Sequence, residues 1–107
     1  MQFFVYGSPS EQQQPKDAAE LGKFMEESIK KGILVTGGGL NRKETRIQLN
    51  DGKVAITDGP FLEGKELMPG FVVIQADTKE KAIEWVTAMR RLYGDGQTRL
   101  VQIFGAS

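Results

Sequence analysis

An α+β fold with the element order β-α-β-(β-β)-β-α-β is predicted by three features of this 107-residue chain. Two stretches, opening near Asp17 and Asp77, carry apolar residues at helical spacing behind a capping-type residue. Four short runs of β-branched and aromatic residues, around positions 2–6, 33–36, 70–76 and 98–104, read as strands. Between them, Asn50-Asp51-Gly52-Lys53 is a two-residue hairpin signal, because Gly supplies the positive φ that the favoured turns require. This order is that of a split βαβ, ferredoxin-like unit carrying an inserted β-hairpin.

The elements follow one by one. Residues 2–6 are dense in aromatic and β-branched side chains and stop at Gly7-Ser8-Pro9. The polar run from 7 to 16 is a connection, or a lid over a cleft. Asp17 and Glu20 have capping-box spacing, and Leu21, Phe24, Met25, Ser28 and Ile29 then share one helical face until Gly32. Strand 33–36 runs into Gly37-Gly38-Gly39, which lacks the lysine and hydroxyl of a phosphate loop and reads instead as a bulge or a close backbone approach. A charged segment spans 61–69. Residues 70–76 are apolar at successive positions, which suits a central strand buried on both faces. Asp77 and Glu80 repeat the capping-box spacing ahead of the stripe Ala82, Trp85, Val86 and Met89, and Arg90 and Arg91 suit the helix C-terminus as solvated cations. Gly94-Asp95-Gly96 turns the chain into the last strand, 98–104.

Composition bounds the function. The length and 39% hydrophobic content fit one domain, residues 1–107, with a modest core. Fourteen basic and fourteen acidic side chains cancel, so no field favours nucleic acid or an anionic membrane surface, and neither is expected as a partner. The chain has no cysteine and no histidine, which excludes thiolate catalysis, Ser-His-Asp machinery and the usual zinc sites. Neither cofactor nor metal is expected. No signal peptide or membrane span is legible, and a cytoplasmic protein is the expectation.

The most informative residues are Thr57-Asp58-Gly59-Pro60-Phe61. With Asp51 and Gly52 as the loop, Leu49 faces Val54 and Ile47 faces Ile56, and period two puts Asp58 on that same apolar side. A carboxylate there must be hydrogen-bonded, paired or open to a water-filled cleft. An Asx-turn is blocked, since residue 60 is proline and has no N–H. Pro60 also biases Gly59 toward extended geometry, so the chain leaves the strand stiffly. Two readings stand: a structural turn that fixes the strand exit, or a cleft carboxylate with a working role. On the sheet, Phe3 to Tyr6 and Phe71 to Ile74 are apolar at successive positions, so the side without helices also calls for cover. Two such sheets face to face would supply it, which predicts a homodimer.

Gly38-Gly39-Leu40, Asp58-Gly59-Pro60-Phe61, Lys65-Glu66, Gly70-Phe71, Ala82, Glu84-Trp85 and Val101-Gln102 occur in the order in which the chain resembles the DGPF-motif proteins of the YCII-related superfamily. The resemblance covers nearly the whole length. It implies a dimeric α+β barrel, a cleft near the motif between sheet and helices, and mostly bacterial relatives of unassigned function. It also implies, for some relatives, a His-Asp pair at an enzymatic site. Asp58 fills the aspartate place here, and no histidine exists to partner it.

Two functions are weighed. The first is a small homodimeric protein that binds a polar or aromatic ligand beside the turn, with Asp58, Gly59, Pro60, Phe61, Tyr6, Gly38 and Lys65 as its contacts. Asp58 would orient a donor group and Phe61 would form an apolar wall. The alternative is an enzyme with Asp58 as its catalytic base for proton abstraction or elimination on a small organic acid, with Lys65, Arg46 or Tyr6 as electrophilic partner. An interaction module using a sheet edge near Thr45 or Thr98 is a third reading, opposed by the charged residues nearby.

Overall fold

The structure, a computed structural model, describes residues 1–7, 15, 17–40, 43–59 and 70–105. Its elements are β1 (Gln2–Gly7), α1 (Ala18–Lys30), β2 (Leu34–Gly39), β3 (Thr45–Asn50), β4 (Lys53–Asp58), β5 (Gly70–Gln75), α2 (Lys79–Tyr93) and β6 (Thr98–Ile103). The predicted order is present throughout. Four strands form an antiparallel sheet in the order β2-β5-β1-β6, while β3 and β4 form a separate two-stranded ribbon. This is the ferredoxin-like α+β arrangement with an inserted hairpin.

Helix α1 starts where Asp17 accepts the backbone N–H groups of Ala19 and Glu20, satisfying two donors that the first turn leaves without partners. It ends at Gly32, whose φ of 75° lets Ile33 N–H reach back to Ser28 O at 2.9 Å and Gly32 N–H to Ile29 O at 3.0 Å. The expected stripe holds at Leu21, Phe24, Met25 and Ser28, but Ile29 points outward and is exposed. Helix α2 corrects the sequence reading at its start. The cap is Thr78, whose hydroxyl accepts Lys81 N–H, and not Asp77. Thr78 has the extended backbone that a cap requires, with φ −138° and ψ 161°. Its C-terminus corrects the solvated role given to Arg90, which is half-buried and donates to Gly94 O and to Thr98 Oγ1.

Both helices cover one face of the sheet. The core there is Phe3 and Val5 from β1, Ile74 from β5, and Ala82, Trp85 and Met89 from α2. Trp85 Nε1 donates to Ser28 Oγ at 2.9 Å, and Ser28 in turn donates to Phe24 O at 2.8 Å, so the buried indole N–H is satisfied across the two helices. The Phe24 and Trp85 rings lie 5.2 Å apart in the same contact.

The opposite face is only partly covered. Strand β5 is central, as expected, but Phe71 and Val73 on this side stay half-exposed, and only Ile74 on the helix side is fully buried. Within one chain, the expectation of burial on both faces is therefore corrected to burial on one. Strand β2 extends from Leu34 through all three glycines, with a register shift at Val35, so both the bulge and the close approach are present. A Cβ on Gly37 would lie 2.7 Å from Phe71 O and 2.9 Å from Val72 Cγ1, so only glycine fits there.

The ribbon forms with the predicted register, Leu49 opposite Val54 and Ile47 opposite Ile56. Asp51 and Gly52 both have positive φ, 51° and 76°, as a type I′ turn demands. Every residue from Thr45 to Asp58 is exposed, which corrects the core-facing position expected for the apolar side. The molecule is accordingly drawn out, with a radius of gyration of 16.3 Å against about 13 Å for a compact chain of this length. Among the described residues, no helix is long and apolar enough to cross a membrane.

Candidate functional site

The predicted site residues fall into two groups. The first lies at the root of the ribbon. Asp58 closes β4 opposite Thr45, the first residue of β3, and accepts the Thr45 hydroxyl at 2.8 Å through Oδ1. Next to it, Gly59 N–H donates to Glu44 O at 2.7 Å, which extends the ribbon's pairing by one step past the strand. These two bonds fix the carboxylate's direction and its backbone. The other oxygen, Oδ2, has no partner among the described residues. Asp58 shares its side of the ribbon with Ile47, Leu49, Val54 and Ile56, as parity requires, and that side is open to solvent. Hydrogen bonding plus hydration is how the chain resolves a carboxylate on an apolar face.

The second group lies on the sheet face away from the helices. Pairing aligns Arg99, Tyr6, Phe71 and Gly38 in one row across all four strands. The neighbouring row on that face is Val101, Phe4, Val73 and Thr36. The rings of Phe4 and Phe71 stack at 5.4 Å, Phe4 and Tyr6 lie 5.6 Å apart, and the Arg99 guanidinium sits 5.9 Å from the centre of the Tyr6 ring. Such a contact holds a cation over an electron-rich ring face. At the far end of the row a Cβ on Gly38 would meet nothing within 4 Å, so the strand leaves a step beside Phe71. The row is an aromatic shelf, with a cation at one end and free space at the other.

Tyr6 and Gly38 are thus brought into one row, and Asp58 and Gly59 into one turn. No hydrogen bond or ring contact joins the two groups among the described residues. Arg46, weighed as an electrophilic partner, is next to Thr45 on β3 and so lies on the opposite side of the ribbon from Asp58. Pro60, Phe61 and Lys65 lie outside the described residues. A hollow of about 340 Å³ between the helices, lined by Glu20, Lys23, Phe24, Glu27, Ala88 and Leu92, contains none of the predicted set. No group of His, Cys, Asp and Glu among the described residues could hold a metal ion.

Three contributors were not singled out from sequence. Thr45 was legible, because a two-residue loop at Asp51-Gly52 pairs it with Asp58 and period two turns both side chains the same way. Phe4 was legible in part, two residues from Tyr6 and therefore on the same face. Arg99 was not, since its place above Tyr6 depends on the register between the first and last strands.

No curated protein matches the chain. The family model described as the YCII-related domain matches residues 1–104, which takes in both helices, the ribbon and all four strands of the main sheet, and the chain belongs to that family.

Proposed function

We propose that the chain is a cytoplasmic homodimer that binds a small polar or aromatic ligand beside the Asp58-Gly59-Pro60-Phe61 turn. One observation carries this reading: Asp58 has its Oδ1 anchored by the Thr45 hydroxyl, and its Oδ2 has no partner among the described residues. Anchoring matters because a carboxylate already fixed in direction loses less freedom when it engages a ligand. The half-exposed shelf of Phe4, Tyr6 and Phe71 supports an aromatic component in the ligand or in the partner surface. The two-sided apolar strands support the dimer. An enzyme using Asp58 as general base is less well supported, since proton abstraction calls for a desolvated carboxylate and Asp58 is exposed within one chain.

Saturation-transfer NMR with benzylamine and tyramine as probes tests the reading. Each carries a cationic donor and an aromatic ring. Transfer to the wild type that falls at least about tenfold in Asp58→Asn is the expected result, in line with loss of a charge-assisted hydrogen bond. Equal transfer in both proteins overturns the role of Asp58. A stable monomer by sedimentation at micromolar concentration overturns the dimer.

A further inference from the structure

Across the four strands of the main sheet, Arg99 is the one charged residue. It stands on the edge strand β6, where a cation commonly guards against pairing with another chain. Its guanidinium, however, reaches inward along the row, to 5.9 Å from the centre of the Tyr6 ring on β1. A ring face balances the charge and accepts at most weak hydrogen bonds, so the guanidinium's N–H donors stay available to oxygen. Among the described residues, neither Arg99 nor the Tyr6 hydroxyl has a hydrogen bond or an ion pair. Two donor groups therefore meet at one end of the aromatic row and lack an acceptor among these residues.

The other end supplies room. Gly38 lies in the same row on β2, and a Cβ there would meet nothing within 4 Å. Its partner Phe71 is half-buried and takes no part in the helix-covered core, so the ring forms a wall beside the gap. Phe4 stacks on Phe71 at 5.4 Å and steadies it. With strands about 4.8 Å apart, the Tyr6 position lies about 10 Å from Gly38, close to the length of a two-ring acid.

We infer that this row is a binding site for an aromatic carboxylate, its ring seated on Gly38 against Phe71 and its carboxylate received by the Arg99 guanidinium and the Tyr6 hydroxyl. One positive charge matches one negative charge, and the guanidinium fork fits the two oxygens of a carboxylate. A phosphate dianion would call for more cations than the four strands carry. The inference goes beyond the reading at Asp58, because a carboxylate there calls for a donor and the donors here call for an acceptor. In a face-to-face dimer, with packed sheets about 10 Å apart, the ring would occupy the space that a side chain at Gly38 would fill.

An NMR titration of ¹⁵N-labelled chain with sodium 2-naphthoate tests the site. Two controls accompany it: 2-naphthylmethanol keeps the rings without the charge, and acetate keeps the charge without the rings. Naphthoate should shift the amides of Tyr6, Gly38, Phe71 and Arg99 and bind at least about tenfold tighter than either control, since a charge-assisted pair adds to the ring contact. Arg99→Gln should lower naphthoate to the level of the alcohol, and Tyr6→Phe should weaken it about three- to tenfold. Gly38→Val fills the gap and should weaken both ring compounds at least about tenfold, with circular dichroism to check its fold. Arg99 is exposed, so Arg99→Gln carries the test should Gly38→Val fail to fold. Equal binding by Arg99→Gln and the wild type overturns the inference, as does naphthoate that shifts no amide of the row or binds no better than the alcohol. Binding that a folded Gly38→Val leaves unchanged overturns the seat of the ring. Tighter binding of 2-naphthyl phosphate than of naphthoate overturns the carboxylate. Failure of the amine probes with naphthoate binding intact removes the Asp58 reading alone.

Discussion

The main sheet and the ribbon follow the same rule and end differently. In β1 and β5, alternate positions turn Phe3, Val5 and Ile74 toward the helices, where they are 2%, 1% and 0% exposed. In β3 and β4 the same alternation collects Ile47, Leu49, Val54 and Ile56 on one side, and helices do not meet it. Period two decides which side of a strand seeks cover. What provides the cover is decided by tertiary topology, and among the described residues neither the helices nor the main sheet covers the ribbon. The comparison separates residues that build the core from apolar residues that the helices and the main sheet leave exposed.

Substitutions can break that comparison, starting with the deepest. Phe3→Ala removes a ring from the centre of the helix-covered face and should cost about 3–5 kcal/mol in urea unfolding. Of intermediate size is Gly37→Ala, whose new methyl meets the carbonyl of Phe71 and should cost about 1–3 kcal/mol. Gly38→Ala, one residue on and facing open space, should stay within about 0.5 kcal/mol in the same assay. Smallest is Ile47→Thr, whose side chain is exposed and which should change stability by less than about 0.5 kcal/mol in dilute solution. If Ile47→Thr proved as costly as Phe3→Ala under those conditions, the ribbon would belong to the monomer's core and the distinction would collapse.

The fold was legible because its signals are local. Asp17 caps α1, Gly32 closes it, and Asp51-Gly52 fixes the ribbon register to the residue. The misplacements arise where two local signals compete or where packing intervenes. Asp77 and Thr78 are both good caps, and the chain uses the one whose hydroxyl meets Lys81 N–H. Ile29 fits the apolar stripe by spacing, yet it is exposed, and Ser28 beside it takes the buried position against Trp85. For the candidate site, parity revealed which side Asp58 takes and with it the Thr45 pairing. Solvent exposure of that side was hidden, because apolar alternation reads the same whether the covering surface is in the same chain or another. The Arg99-Tyr6-Phe71-Gly38 row was hidden for a different reason: it joins four strands that are distant in sequence, and only their register aligns them.

The hydrogen bond between Trp85 and Ser28 has a spectroscopic consequence. Trp85 is the chain's one tryptophan, and its indole is buried between α1 and α2, while residues 45–58 contain no aromatic side chain at all. Intrinsic fluorescence therefore reports on the separation of the helices and is silent on the ribbon. An emission-detected melt and a methyl-detected melt of the same sample follow two different halves of one molecule, and the gap between their midpoints measures how firmly the ribbon is tied to the rest.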